Sequence, residues 1–388
     1  MDKSKLETLL QQPYSGKQTL FDAISSGAIP KYGIYGAGSW GKEAHSMCTK
    51  FYKKPPLFIT DRNPNLWGKR LWGGINVINP AEIEKNGEGI CILVAIETAS
   101  LPDSMIREEV IKTLNTVGVA ENTVFFLQNS DFISFAFSAD GNKHYNDSVF
   151  PELETVYFSL ANVQSRLCLL EYIRMHKDKD IYRLPTVVPQ YFLGDLFELR
   201  QDEIVADCGA YDGSTLTSIF RYYPSVKHVH SFEPNPDSFA ALSKMVSRLN
   251  PEQRECVSIY PNAVDEKSGV TTFSMSLLDP EGSAISADGE ISVETVSLDD
   301  VFTDKQPPTL IKMDVEGAEL RALNGAMNTI ERNRPILGIC LYHRPQDIWE
   351  IPQWFLKHCP DYDFFICKHN PFRYHELVAY AIPQERRT

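Results

Sequence analysis

The spacing of apolar residues changes character several times along the chain. Leu6, Leu9, Leu10, Leu20, Phe21 and Ile24 recur at helical intervals through residues 2–29, interrupted at Pro13. Continuous apolar runs then alternate with amphipathic ones. "YGIYGAG" (32–38) reads as a strand entering a turn, "WGKEAHSMCTKFY" (40–52) as a helix, and "PPLFITDRN" (55–63) and "GICILVAIE" (89–97) as strands. "SMIREEVIKTLNTVG" (104–118) reads as a helix and "TVFFLQ" (123–128) as a strand. Strands alternating with helices predict a parallel sheet covered on both faces. This small N-terminal unit spans 31–130, after a helical segment at 1–30.

Residues 131–200 break the alternation. "ELETVYFSLANVQSRLCLLEYIRMHKD" (152–178) predicts one long amphipathic helix, and "PTVVPQYFLGDLFELR" (185–200) has little period, so this stretch reads as a helical connector. A second alternation fills 201–388. Its strands are "EIVADCGA", "HVHSFEP", "VSIYPNAV", "TLIKMDVEG" and "PILGICLYH", with two extra strands at "VTTFSMSLL" and "ISVETVSLDDVF". "DFFICKHN" and "LVAYAIP" close the chain as two strands with no helix between them. The expected class is therefore α/β, with two tandem Rossmann-like sheets. The second is expected to be seven-stranded, with an antiparallel last strand similar to that of class I methyltransferases.

Composition narrows the field. The 388 residues suit two domains or three. A formal net charge of −13 argues against a nucleic-acid partner, which needs a basic face. The eight cysteines form no C-x-x-C pair and sit mostly in apolar runs, as reduced buried thiols do in a cytoplasmic protein. No stretch has the ~18–20 apolar residues of a membrane span, and the first residues lack a signal-peptide core. The expectation is a soluble, cytoplasmic protein, with a homo-oligomer compatible with the sequence.

The chemistry begins at "DCGAYDG". Ligands of an open parallel sheet bind beyond the carboxyl ends of its strands. Gly209 and Gly213 allow a tight turn and close backbone approach there. Asp207 suits a cationic ligand, such as the amino-acid end of S-adenosylmethionine, and Glu233, ending the next strand, suits a ribose diol. Asp314 and Glu316 end a later strand and His343 the one after. A hydroxyl nucleophile needs a base, and His343 or Asp314 can serve. Glu319 opens a helix, where a carboxylate meets free N–H groups.

The segments "FEPNP", "NAV", "ETVSLDDVF", "IKMDVEGAEL" and "LYHRPQDIWEIPQWF" together resemble the FkbM family of S-adenosylmethionine-dependent methyltransferases. The resemblance covers about 200–385. It implies O-methylation of a hydroxyl, commonly on a sugar or a polyketide. It places Asp207, Gly209, Gly213, Glu233, Asn262, Ala263 and Asp314 at the cofactor, and His343, Asp314 and Glu316 at the reacting methyl. A divalent metal on Asp314, Glu316 and His343 is not favoured, because the chain lacks a local acidic pair or H-x-x-x-H spacing.

The upstream turn "GAGSWG" fits G-x-G-x-x-G, with Gly36, Gly38 and Gly41 after a strand and Asp61 ending the next. The stretch "FITDRNPNLWGKRLWGGINVINPAEI" resembles the small N-terminal domains of nucleotide-sugar-modifying enzymes. The leading reading is thus an O-methyltransferase acting on a sugar hydroxyl of a glycan or nucleotide-sugar. The alternatives are a nicotinamide-dependent oxidoreductase or epimerase using the first turn, and a non-catalytic nucleotide-sugar-binding protein.

Overall fold

The computed structural model describes residues 3–13, 20–50, 53–72, 74–86, 89–96, 103–127, 144–178, 186–187, 189–274, 284–285, 291–369 and 376–388. Parts of the expected first helical segment (14–19), of the connector (131–143) and of the strand "VTTFSMSLL" (275–278) lie outside the described residues.

The N-terminal sheet contains β1 (Tyr32–Tyr35), β2 (Ile59–Thr60), β3 (Arg70–Leu71), β4 (Ile75–Ile78), β5 (Cys91–Val94) and β6 (Val124–Phe126) in the order β3-β4-β2-β1-β5-β6. All neighbours are parallel except β3 and β4. The hairpin β3–β4 was not read from the sequence. Only two residues of β3 pair, Arg70 with Asn76 and Leu71 with Ile75, which is too short for any period to show. Alternate residues of the strands face opposite cores. Ile34 and Leu93 join Phe21, Ile24, Ala44 and Met47, whereas Tyr35, Ile92 and Val94 join Val110 and Leu114.

The C-terminal sheet contains β7 (Ile204–Cys208), β8 (His228–Phe232), β9 (Val257–Tyr260), β14 (Leu310–Met313), β15 (Ile336–Cys340), β16 (Tyr362–Lys368) and β17 (Leu377–Pro383) in the order β16-β17-β15-β14-β7-β8-β9. β17 runs antiparallel to both neighbours, so the seven-stranded sheet with an antiparallel last strand is found as expected. A separate four-stranded sheet joins β10 (Ala263–Val264), β11 (Gly269–Ser274), β12 (Ala284–Ile285) and β13 (Ile291–Val296). "VSIYPNAV" is therefore two strands in two sheets. Pro261 separates them, since proline has no N–H for the ladder.

Two other expected elements divide. The long helix at 152–178 is two helices, Phe150–Ser159 and Val163–Asp178. Leu160 leaves helical geometry to bridge to Phe364 on the β16 edge, and Ala161 N–H donates to Phe364 O at 2.8 Å. Asn162 then caps the new helix, accepting from Ser165 N–H at 2.8 Å. The stretch "AELRALNGAMNTIERN" (318–333), whose sequence reads as one helix, forms two, Glu319–Asn324 and Met327–Asn333. At Gly325 between them a Cβ would stand 2.1 Å from Asp265 O, so the chain passes only because that position has no side chain.

The first helix, Ser4–Gln11, packs its Leu6, Leu9 and Leu10 into the core of the C-terminal sheet together with Leu153, Val156, Leu169 and Ile173 from the connector. Lys177 fastens this join. Its buried Nζ donates to Leu10 O at 2.9 Å and Tyr145 O at 3.0 Å. Among the described residues, no helix is long and apolar enough to cross a membrane.

Candidate active site

Two turns face the carboxyl edge of the C-terminal sheet. The first follows β7. Gly209 has φ +82°, and a Cβ there would lie 1.9 Å from Asp314 O, so glycine is required on both counts. Gly213 (φ +90°) is the N-cap of the helix Ser214–Tyr222. Glu233 closes this turn from the end of β8. Its Oε2 accepts from Tyr211 N–H (2.9 Å) and its Oε1 from Asn235 N–H (2.8 Å). Asn235 in turn caps the helix Pro236–Ser247, whose first position is a proline, which accounts for "EPNP" as a strand-to-helix joint. Burial holds the Glu233 carboxyl above its ordinary pKa, against the pull of its two backbone donors.

Asp207 lies beneath the turn with no exposed surface. Its Oδ1 is 3.0 Å from Lys312 Nζ, a residue paired with it across β7 and β14. Lys312 also donates to Gly209 O at 2.5 Å and lies 5.9 Å from the Tyr191 ring centre. Burial works against the Lys312 charge, but Asp207 and Asp314 outweigh it and keep the ammonium protonated. The sequence reading gave Asp207 to an incoming cation. The structure sets a built-in cation, the Lys312 ammonium, against the Asp207 carboxylate beneath the turn. Lys312 was missed, because a single lysine in an apolar run carries no signal until the neighbour strand is known.

The second turn follows β14. Glu316 (φ +56°) and Gly317 (φ +92°) are both left-handed, and they aim the loop back across the strand ends. Three carboxylates meet His343 here. Nδ1 donates to Glu319 Oε1 at 2.8 Å, and Nε2 stands 3.3 Å from Asp314 Oδ1 and 3.8 Å from Glu316 Oε2. Tyr342 hydroxyl donates to Asp314 Oδ1 at 2.8 Å. Desolvation alone would lower the His343 pKa. Glu319, Glu316 and Asp314 together raise it well above the ordinary histidine value. Burial likewise opposes the Asp314 charge, but His343, Lys312 and Tyr342 leave that carboxyl well below the usual range. Both shifts run toward the charged forms, a carboxylate at Asp314 and a protonated ring at His343. That direction makes His343 the weaker candidate for taking a proton and favours the Asp314 and Glu316 carboxylates, which face its Nε2.

The structure thus brings Asp314, Glu316 and His343 together and sets Gly209 against Asp314. Asn262 follows the end of β9, whose Tyr260 O accepts from Glu233 N–H at 3.0 Å; its Nδ2 donates to Glu294 Oε2 on the four-stranded sheet at 3.4 Å, and Ala263 begins β10. Among the described residues, no group of histidine, cysteine and acidic side chains is arranged to hold a metal ion; the carboxylates converge on an imidazolium instead. Sequence reasoning also missed Asp347. Fully buried, it takes Arg344 N–H (2.8 Å) and guanidinium (2.8 and 2.9 Å), and burial with the nearby Glu319 charge pushes it up to about 6.

The N-terminal turn is built to the same plan. Gly36 has φ +114° with Ala95 O only 2.4 Å from a would-be Cβ, and Gly41 packs against Gly36 O. Gly38 has open space around it. Asp61 accepts from Ala37 N–H and from Asn63 N–H, both at 2.8 Å, as Glu233 does from Tyr211 and Asn235.

Comparison with known proteins locates the second unit. Residues 207–367 match the family described as the methyltransferase FkbM domain. Hexuronic acid methyltransferase AglP of Haloferax volcanii is 27% identical over 160 residues, covering 40% of this chain and 64% of that protein. 2-O-methyltransferase NoeI of Sinorhizobium fredii is 26% identical over 151 residues, covering 35% and 62%. The chain thus spans less than two thirds of the length of these curated relatives. The crystal structure of a methyltransferase FkbM from Methylobacillus flagellatus KT superposes with a TM-score of 0.64 at 19% identity, over 97% of both chains, and so shares the fold. Over residues 207–367, then, this chain is similar to the methyltransferase FkbM family, and it shares the fold of a solved structure that carries that name.

Proposed function

We propose that this protein is an S-adenosylmethionine-dependent O-methyltransferase acting on a sugar hydroxyl, in a glycan or a nucleotide-sugar. The observation that carries the reading is the meeting of Asp314, Glu316 and His343 beside the Gly209 turn, inside the segment that matches the methyltransferase family. The names of the two curated relatives, one acting on a hexuronic acid, support the sugar part.

The residues fit the cofactor. Each Glu233 oxygen accepts one backbone N–H, and a carboxylate has about four acceptor positions, so two remain for a ribose diol. Gly209 and Gly213 let the backbone approach, with the Asn262–Ala263 edge alongside. When bound, the cofactor supplies a methyl group on a sulfonium, an electrophile that carries its own leaving group. The acceptor hydroxyl must shed its proton, and Asp314 or Glu316 is placed to take it. Their negative charge also stabilises positive charge appearing on the hydroxyl oxygen. His343 keeps Asp314 ionised and fixes its direction.

The test is incubation with methyl-labelled S-adenosylmethionine and a panel of uronic acids, neutral sugars and nucleotide-sugars. A labelled methyl ether on at least one sugar is expected, and no labelled product across the panel overturns the reading. We also propose that the N-terminal turn, with Gly36, Gly38, Gly41 and Asp61, holds the nucleotide end of a nucleotide-sugar. In the same panel, Asp61→Ala should weaken use of nucleotide-sugars and leave free sugars unchanged; equal effects on both classes count against it.

A further inference from the structure

Glu319 has no place in the chemistry just described, yet it is among the most committed side chains of the site. It has no exposed surface. Its Oε1 receives two donors, Val315 N–H at 2.9 Å and His343 Nδ1 at 2.8 Å, and its Oε2 has no hydrogen-bond partner. One oxygen therefore joins the turn after β14 to the end of β15. The donor on Nδ1 also decides which nitrogen is left to face Asp314 and Glu316.

We propose that Glu319 is the positioning residue of this site: it holds the imidazole of His343 with Nε2 toward Asp314 and Glu316, and it sets a buried negative charge against Nδ1. The proposal rests on the methyltransferase reading for its kinetic consequence, not for its structural one. A solely structural Glu319 would need only the two hydrogen bonds. A positioning Glu319 needs the negative charge as well.

Among the described residues, the charged and titratable groups at the ring are Asp314 and Glu316 from the turn after β14, Glu319 from the helix after it, and Tyr342 beside it; behind these stand Lys312, which faces Asp207 and Asp314, and Arg344, which is paired with Asp347 of the next helix. Glu319 contributes the largest share of the upward shift at His343. The sign follows from that direction. A histidine raised above its unfolded value of ~6.5 adds stability in full below that pH and loses it as pH rises through the raised value.

Glu319→Gln separates the two roles. The amide oxygen can keep both donors, so the variant removes the charge while leaving the hydrogen bonds of Oε1 in place; the amide nitrogen, with its two N–H donors, takes the buried position of Oε2. The full-length protein would be labelled at histidine Cε1 and titrated by NMR, with His343→Gln used only to assign the resonance. In Glu319→Gln the His343 midpoint should move down toward the ordinary histidine value, and the melting temperature should fall at pH values below the wild-type midpoint by the stability that the raised value contributed, with the circular dichroism unchanged. The turnover number should fall by roughly 10–100-fold with KM for S-adenosylmethionine unchanged, in the range seen when an orienting partner of a functional histidine is lost. Glu319→Asp should restore the midpoint in part. An unchanged His343 titration in Glu319→Gln overturns the proposal, as does a fall in melting temperature without a titration shift. The titration needs no acceptor, so a failed sugar panel would sink the activity and leave this result standing.

Discussion

Lys312→Met should lower the stability of the C-terminal unit by about 3–5 kcal/mol, the usual cost of leaving a buried charge without its partner. Asp207 has no exposed surface and its neighbour across the sheet is the only ammonium within reach among the described contacts. Methionine matches the lysine stem in length, so packing survives and charge is what changes. Against a total stability of ~5–15 kcal/mol this is a large fraction, and for a unit of this size it corresponds to roughly 6–20 °C in melting temperature. The double variant Lys312→Met with Asp207→Asn removes both charges and should recover most of the loss, because the penalty lies in the orphaned carboxylate and not in the missing pair. Cofactor affinity should not recover with it. Lys312 also anchors Gly209 O, and that anchor is absent in both variants. Thermal melts of the four proteins of the cycle check the first point, and a single variant that melts with wild type would contradict it.

Asp314→Asn should lower kcat by ~10²–10⁴-fold, the range for removing a positioned proton acceptor, and change the dissociation constant for S-adenosylhomocysteine far less. The asparagine oxygen can still accept from Tyr342 hydroxyl, so the strand end keeps its place. What disappears is the ionised group opposite His343 Nε2. Without it the imidazolium loses one of its three stabilising carboxylates, and the upper limb of the pH–rate profile should move to lower pH. Turnover at the wild-type level would show that Asp314 is a scaffold only and would shift the proton-accepting role to Glu316.

Most of the C-terminal topology is readable in the chain because buried parallel strands are near-continuous apolar runs. "EIVADCGA", "TLIKMDVEG" and "PILGICLYH" each end in the polar residues that a sheet of this class presents at its carboxyl edge. That is why Glu233, Asp314, Glu316 and His343 could be named before their positions were known. What stayed hidden was pairing. Lys312 meets Asp207 because β14 lies beside β7, and Glu319 meets His343 because a helix after β14 returns to the end of β15. Both contacts are set by strand order rather than by local spacing. The breaks at Leu160 and Gly325 were hidden for a similar reason. Each answers a contact made from elsewhere in the fold, with Phe364 in one case and Asp265 in the other. The charge around the His343 ring was hidden too, since three carboxylates around one imidazole cannot be counted from sequence.

The most direct measurement is isothermal titration of S-adenosylhomocysteine into the full-length protein and into Glu233→Ala. Micromolar binding to the wild type, lost in a variant whose circular dichroism is unchanged, is the predicted result. It would place the cofactor at the end of β8, beside the turn that Asp207 and Lys312 support. No binding to the wild type would contradict the account, leaving a methyltransferase fold without the ligand on which the proposed chemistry depends.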